Sequence, residues 1–185
     1  MTLPRGFKAQ AEREAARVRK ELGLRTTDPV QAHALAEHAG ARVVSAERLV
    51  PREDLEDLER LQAYAFSAAT FEIRDKKVIV TNPLRSAGRL ASDVAHEVAH
   101  LMLEHELTEV REIEGVPFRT CKPDQEEQAT AMGGTLLLPR PLLAQAASRG
   151  EDPAAIAERC GVTLDMARYR FNTTGVAGQV ARRQA

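Results

Sequence analysis

An α+β fold, mostly helical with a small antiparallel sheet, is predicted for these 185 residues by three observations. Apolar residues recur at helical spacing through most of the chain, from Ala11, Ala15, Val18 and Leu22 to Leu90, Val94, Val98 and Leu101. Two strand-like runs, Ala63 to Ile73 and Val78 to Val80, flank a polar turn at Asp75-Lys76-Lys77. Abundant Ala, Leu, Glu and Arg, with few aromatics, favour helix elsewhere.

Each element has its own signal. The first helix runs from Phe7 to Leu22 and is closed by Gly23. Asp28-Pro29 reads as the cap and first position of a second helix that Gly40 stops. Arg42 to Ser45 suits a short strand, and the charged stretch Pro51 to Leu61 a surface helix. After the hairpin, Asn82-Pro83 breaks the strand, and Ser86 caps a long helix from Ala87 to about His105. Thr108 to Pro123 lacks a period and reads as an irregular loop. Asp124 caps the next helix, which runs to about Leu138. Short helices follow at Arg140 to Ser148, Pro153 to Cys160 and Leu164 to Asn172, with a frayed tail beyond Gly175.

Composition narrows the function classes. A net charge of −1 argues against wholesale coating of nucleic acid. Cys121 and Cys160 form neither a disulfide framework nor a CxxC pair, and are expected to be free thiols in a reducing compartment. The first residues lack the apolar core of a signal peptide, and no run is long enough to span a bilayer. A cytoplasmic protein is expected.

The chemistry concentrates in His96-Glu97-Val98-Ala99-His100. Four residues of helix turn the second imidazole only about 40 degrees from the first, so both project from one face and can share a zinc ion. Glu97 lies about 100 degrees away. It is expected to serve as general base on the attacking water and not as a ligand. A catalytic zinc takes a third protein ligand. His105, five residues past His100 on the same helix, is rotated about 140 degrees from it and is excluded. His33 and His38 read as ordinary helix-surface residues. The helix from Asp124 offers Glu126 or Glu127, each sharing a face with small residues, and spacing alone does not choose between them.

With these residues in hand, the sequence resembles the ImmA/IrrE family of metallopeptidases. Residues 93–105 are similar to the family's aHElgHlllH, and residues 126–139 to its E-x-Q-A-N-x-F-A-A-x-L-L-M-P. The strand at 78–82 and the segment from Pro29 to Gly40 add weaker matches. Thr130, Met132, Gly133 and Gly134 depart from the pattern at packing positions. The resemblance maps the third ligand onto Glu126. It implies a zincin-like metallopeptidase domain over residues 1–148, holding Zn2+ with His96, His100 and Glu126. It further implies cleavage of a partner, an XRE-type helix-turn-helix repressor, in a stress or mobile-element circuit. An extended substrate segment is expected to add to the hairpin edge near Val78 to Thr81.

Tyr64, Arg89, His105, Arg119 and Tyr169 have suitable chemistry for stabilising an oxyanion, and none is singled out by position. Residues 149–185 resemble a helix-turn-helix segment packed on the domain, with Gly161 at the turn and Thr163 as cap. Six arginines against four acids there favour a structural role over DNA contact through Arg168 and Arg170. The N-terminal helix, with Lys8, Arg13, Arg17, Arg19 and Lys20, reads as a solvated basic face. The rival functions are a non-proteolytic regulator on the same scaffold, and a transcription factor acting through Pro153 to Asn172.

Overall fold

The computed structural model describes residues 3–63, 66–105, 109–113 and 116–184. Helix α1 (Phe7–Glu21) buries Phe7, Ala11, Ala15 and Val18, the stripe its periodicity marks. Helix α2 (Ala32–His38) starts later than Asp28-Pro29 signals, because the Asp28 carboxylate accepts the Arg25 backbone and guanidinium N–H groups. Strand β1 (Ala41–Ser45), a 3-10 turn at Ala46–Arg48 and helix α3 (Arg52–Leu61) follow.

Strands β2 (Ala68–Ile73) and β3 (Lys76–Thr81) form the expected hairpin. Its two-residue turn, Arg74-Asp75, has φ values of 50° and 62°, the left-handed pair that matches strand twist. The sheet order is β1-β3-β2. Strand β2 pairs antiparallel with β3, but β1 pairs parallel with it. The sheet is therefore mixed, not antiparallel as expected: α3 and β2 intervene between β1 and β3 and carry the chain back to its original direction. This order also corrects the expected docking edge, since Val78 to Thr81 lie in the central strand and the outer edges belong to β1 and β2.

Helix α4 (Ala87–Met102) is capped by the Ser86 hydroxyl, which accepts from the Arg89 N–H. It ends before His105. Where an irregular loop was expected, β4 (Glu109–Ile113) and β5 (Val116–Thr120) pair as an antiparallel hairpin. Helix α5 (Pro123–Leu137) is capped from Lys122 and not from Asp124, the Gln125 amide oxygen accepting the Lys122 N–H. Helices α6 (Arg140–Ser148), α7 (Pro153–Cys160) and α8 (Leu164–Thr173) lie close to their predicted spans. The expected frayed tail is helix α9 (Val176–Gln184), which buries Val176.

One apolar core joins α1, α2, α4 and α5 to Ile156, Val162, Ala167 and Val176 of the C-terminal helices. Two arginines tie its centre together. Arg19 is fully buried, contrary to the solvated role expected of it, and donates to the Leu136 and Leu137 carbonyls at 2.7 and 3.1 Å. Arg170 is buried too, donating to the Leu138 carbonyl at 3.0 Å and pairing with Glu12 at 2.8 Å. Both satisfy carbonyls that the end of α5 leaves without intrahelical partners. Burial lowers the Arg19 pKa to about 10. Arg19→Met keeps the apolar stem and strands two buried carbonyls. A loss of about 2 kcal/mol is expected, read from the urea midpoint.

The α7–α8 pair has the anticipated turn: Gly161 at φ 63° and the Thr163 hydroxyl accepting from the Met166 N–H. That turn sits against the start of α4, where a Cβ on Gly88 would lie 2.8 Å from the Val162 carbonyl carbon. Arg170, one of the two arginines a DNA-reading helix would present, is directed inward. Both cysteines are free. Among the described residues no helix is long and apolar enough to cross a membrane.

Candidate metal centre

The α4–α5 contact brings the predicted ligands together. His96 and His100 occupy one face of α4, and Glu126 sits in the first turn of α5. Their Nε2, Nε2 and Oε2 atoms converge. His96 to His100 is 3.0 Å, His96 to Glu126 is 3.1 Å and His100 to Glu126 is 3.6 Å. Three donors at zinc–ligand distances on a tetrahedron would stand about 3.3 Å apart. Two imidazoles and one carboxylate, a set that suits zinc, therefore already have the spacing the ion requires. Glu127 is outside this group. The neighbouring imidazoles, His100 above His96, hold the Glu126 carboxyl well below the usual carboxylate range.

The close helix approach depends on Gly133, two turns after Glu126 on the same face of α5. A Cβ there would lie 2.8 Å from the Ala95 carbonyl oxygen and 3.0 Å from the His96 nitrogen. This departure from the family's alanine is a contact requirement of the site itself.

Glu97 does not join the cluster of three. Its carboxylate accepts a 2.5 Å hydrogen bond from the Thr70 hydroxyl. Thr70 belongs to β2, so the sheet edge and the candidate base are fixed to each other. On the other side, Arg89, Asp93, His96, Thr130, Gly133 and Met166 contribute to a cavity of about 270 Å³. Arg89 and Asp93, both in its lining, form an ion pair, and burial raises the Asp93 pKa.

Of the oxyanion candidates, Arg89 shares that cavity with His96, and Tyr169 is exposed on α8. Tyr64 and the side chain of Arg119 lie outside the described residues. His33 is exposed and His38 pairs with Glu21, as surface residues do.

His105 is the larger surprise. Helix α4 ends in a left-handed residue, Glu104 at φ 52°, and the His105 N–H returns to the His100 carbonyl at 3.0 Å. This six-to-one bond closes a Schellman turn. It folds the His105 ring back until its Nδ1 is 3.0 Å from His100 Nδ1. The Cys121 sulfur approaches the same nitrogen at 3.4 Å. His105 thus lies outside the group of convergent donors but adjacent to the ring that supplies one of them. Thr70 and Cys121, which contact Glu97 and His100, carry no local signal in the sequence.

No curated protein matches this sequence. Among solved structures, a Mycobacterium tuberculosis transcriptional regulator superposes with a TM-score of 0.54 at 18% identity. The match covers 91% of this chain and 47% of that one, so this chain spans about half the length of that regulator and shares its fold. The family model Peptidase_M78, described as IrrE N-terminal-like domain, matches residues 36–172. That span contains both helices of the histidine–glutamate cluster, the sheet beside it and the α7–α8 pair. The chain belongs to this peptidase family, and the domain it forms is of the metallopeptidase type.

Proposed function

We propose that this protein is a cytoplasmic zinc-dependent endopeptidase that cuts an XRE-type helix-turn-helix repressor, relieving repression in a stress or mobile-element circuit. The observation that carries the reading is the convergence of His96 Nε2, His100 Nε2 and Glu126 Oε2, with Glu97 held beside them by Thr70. Bound by those three donors, zinc would supply Lewis acidity and bring a water's pKa towards neutrality. Glu97 takes the proton of the attacking water on its carboxylate and passes it to the leaving amine.

The substrate segment binds as an added strand. Its dock is the outer edge of β2, and not the Val78 to Thr81 segment of β3, because β2 has no strand on its far side among the described residues. Thr70 in that strand keeps the incoming backbone in register with Glu97. The repressor assignment draws on the family resemblance. The Mycobacterium tuberculosis regulator adds only a shared fold.

Metal analysis of protein purified without chelator should give one zinc per chain. Incubation with a cognate repressor should yield a single cut, lost on chelation and restored by zinc. Glu126→Ala should lower zinc affinity by about 100-fold or more, since it removes a ligand and not a supporting contact. Stoichiometric zinc with no cleavage of any cognate repressor would favour the binding-only regulator. Absence of zinc would remove both the metal and the mechanism.

A further inference from the structure

We propose that His105 is a positioning residue that fixes the tautomer and ring orientation of His100 and so sets the affinity of the metal centre. The inference rests on the reading of His96, His100 and Glu126 as ligands.

The hydrogen-bond inventory leads to it. His100 directs Nε2 at His96 and Glu126, so a metal there needs the Nε2 lone pair and the ring proton must sit on Nδ1. Two ring nitrogens 3.0 Å apart require one donor and one acceptor. With His100 Nδ1–H donating, His105 Nδ1 must accept, and the His105 proton is left on Nε2. This protonation pattern satisfies the His105–His100 contact and leaves the His100 Nε2 lone pair facing the donor cluster. The opposite pattern, with the proton on His100 Nε2, would aim an N–H at the place a cation occupies.

The local backbone is built for this contact. A non-glycine residue in the left-handed region is unfavourable by about 1 kcal/mol, yet Glu104 adopts it. The turn it makes returns His105 to His100, where a helix continuing through His105 would carry the ring away. The two rings meet edge to face, with centroids 5.1 Å apart. Among the described residues His96 has a weaker support, the Thr130 hydroxyl at 3.5 Å from its Nδ1. Cys121 is the competing neighbour of His100 Nδ1, but a thiol at 3.4 Å is a much poorer acceptor than an imidazole nitrogen at 3.0 Å.

The test is Zn2+ affinity, measured by competition with a chromophoric chelator on the full chain, with the apo-protein's thermal melt recorded alongside. His105→Leu should weaken zinc by about 10- to 100-fold, the range for loss of an outer-shell partner. His105→Asn places an amide oxygen near the Nδ1 position and should stay within about threefold of wild type. His105→Phe keeps a ring but offers no acceptor, should weaken zinc as much as His105→Leu, and carries the test should His105→Leu fold poorly. Cys121→Ala should have less effect than His105→Leu. Equal zinc affinity in wild type, His105→Leu and His105→Phe overturns the inference and leaves the metal site standing. Equal loss in the Leu and Asn variants assigns His105 to packing and overturns it as well. A larger effect from Cys121→Ala gives the acceptor role to the thiol. A wild-type chain that takes up no zinc instead overturns the metal-site reading on which the inference stands.

Discussion

Glu97→Gln is expected to lower repressor cleavage by about 10³-fold or more while zinc stays bound at wild-type stoichiometry. The two readouts separate because Glu97 is not one of the three converging groups. Its carboxylate is turned to Thr70, whose hydroxyl donates to it. A glutamine in that place keeps an oxygen to accept the Thr70 bond and keeps the side-chain volume, so the sheet–helix contact and the metal helix should be undisturbed. It cannot take a proton from water at neutral pH, and that is the function removed. Cleavage rates on a cognate repressor, with zinc measured on the same preparation, check both halves. A variant that cuts within tenfold of wild type would mean the proton goes elsewhere. Loss of zinc along with activity would mean Glu97 has a structural share in the site.

What the sequence makes legible here follows from the range of the forces involved. The paired histidines and their helix are visible because a 3.6-residue period fixes which side chains share a face, whatever the rest of the chain does. Gly161 and Thr163 mark the α7–α8 turn for a similar reason, since capping is local. Glu126 and Glu127 are indistinguishable by spacing, because the choice depends on how α5 is rotated against α4, and that is set by Gly133 meeting the Ala95 carbonyl. A helix running through His105 would turn its ring away from His100, but Glu104 adopts φ 52° and returns it. No composition rule places a glutamate there. The parallel pairing of β1 with β3 joins residues more than thirty positions apart. It determines which strand is the edge, and no local pattern in the hairpin carries that information. Arg19 and Arg170 look like solvent-facing charges in a helical pattern. Their burial is explained only by the carbonyls of Leu136, Leu137 and Leu138, which a different part of the chain presents.

Two adjacent glycines allow the helix contact and the site to be tested together. Gly133→Val should destabilise the fold by roughly 3 kcal/mol or more. The groups a Cβ would strike are the Ala95 carbonyl and the His96 nitrogen, at 2.8 to 3.0 Å. These are backbone atoms of a buried helix and cannot swing aside. Relief must come from α4 and α5 separating, and that separation acts on the line between His96 and Glu126, two turns along the same face of α5. Zinc affinity should therefore fall as well, in a variant whose ligands and base are all intact. Gly134→Ala provides the comparison. The atoms within reach of its Cβ are Arg170 Cδ and Met166 Sδ, both at 3.1 Å. These belong to side chains that can shift by a few tenths of an ångström, and alanine gains about 1 kcal/mol of helix propensity over glycine. Its stability should stay within about 1 kcal/mol of wild type, with zinc affinity unchanged. Urea unfolding of the apo-proteins and chelator competition on the metal-loaded ones give the four values. If Gly133→Val unfolds at the wild-type midpoint, the helices are not held as close as the site geometry requires. If it is destabilised yet binds zinc normally, the Glu126–His96 distance does not depend on that contact, and the spacing of the donors is set by the first turn of α5 alone.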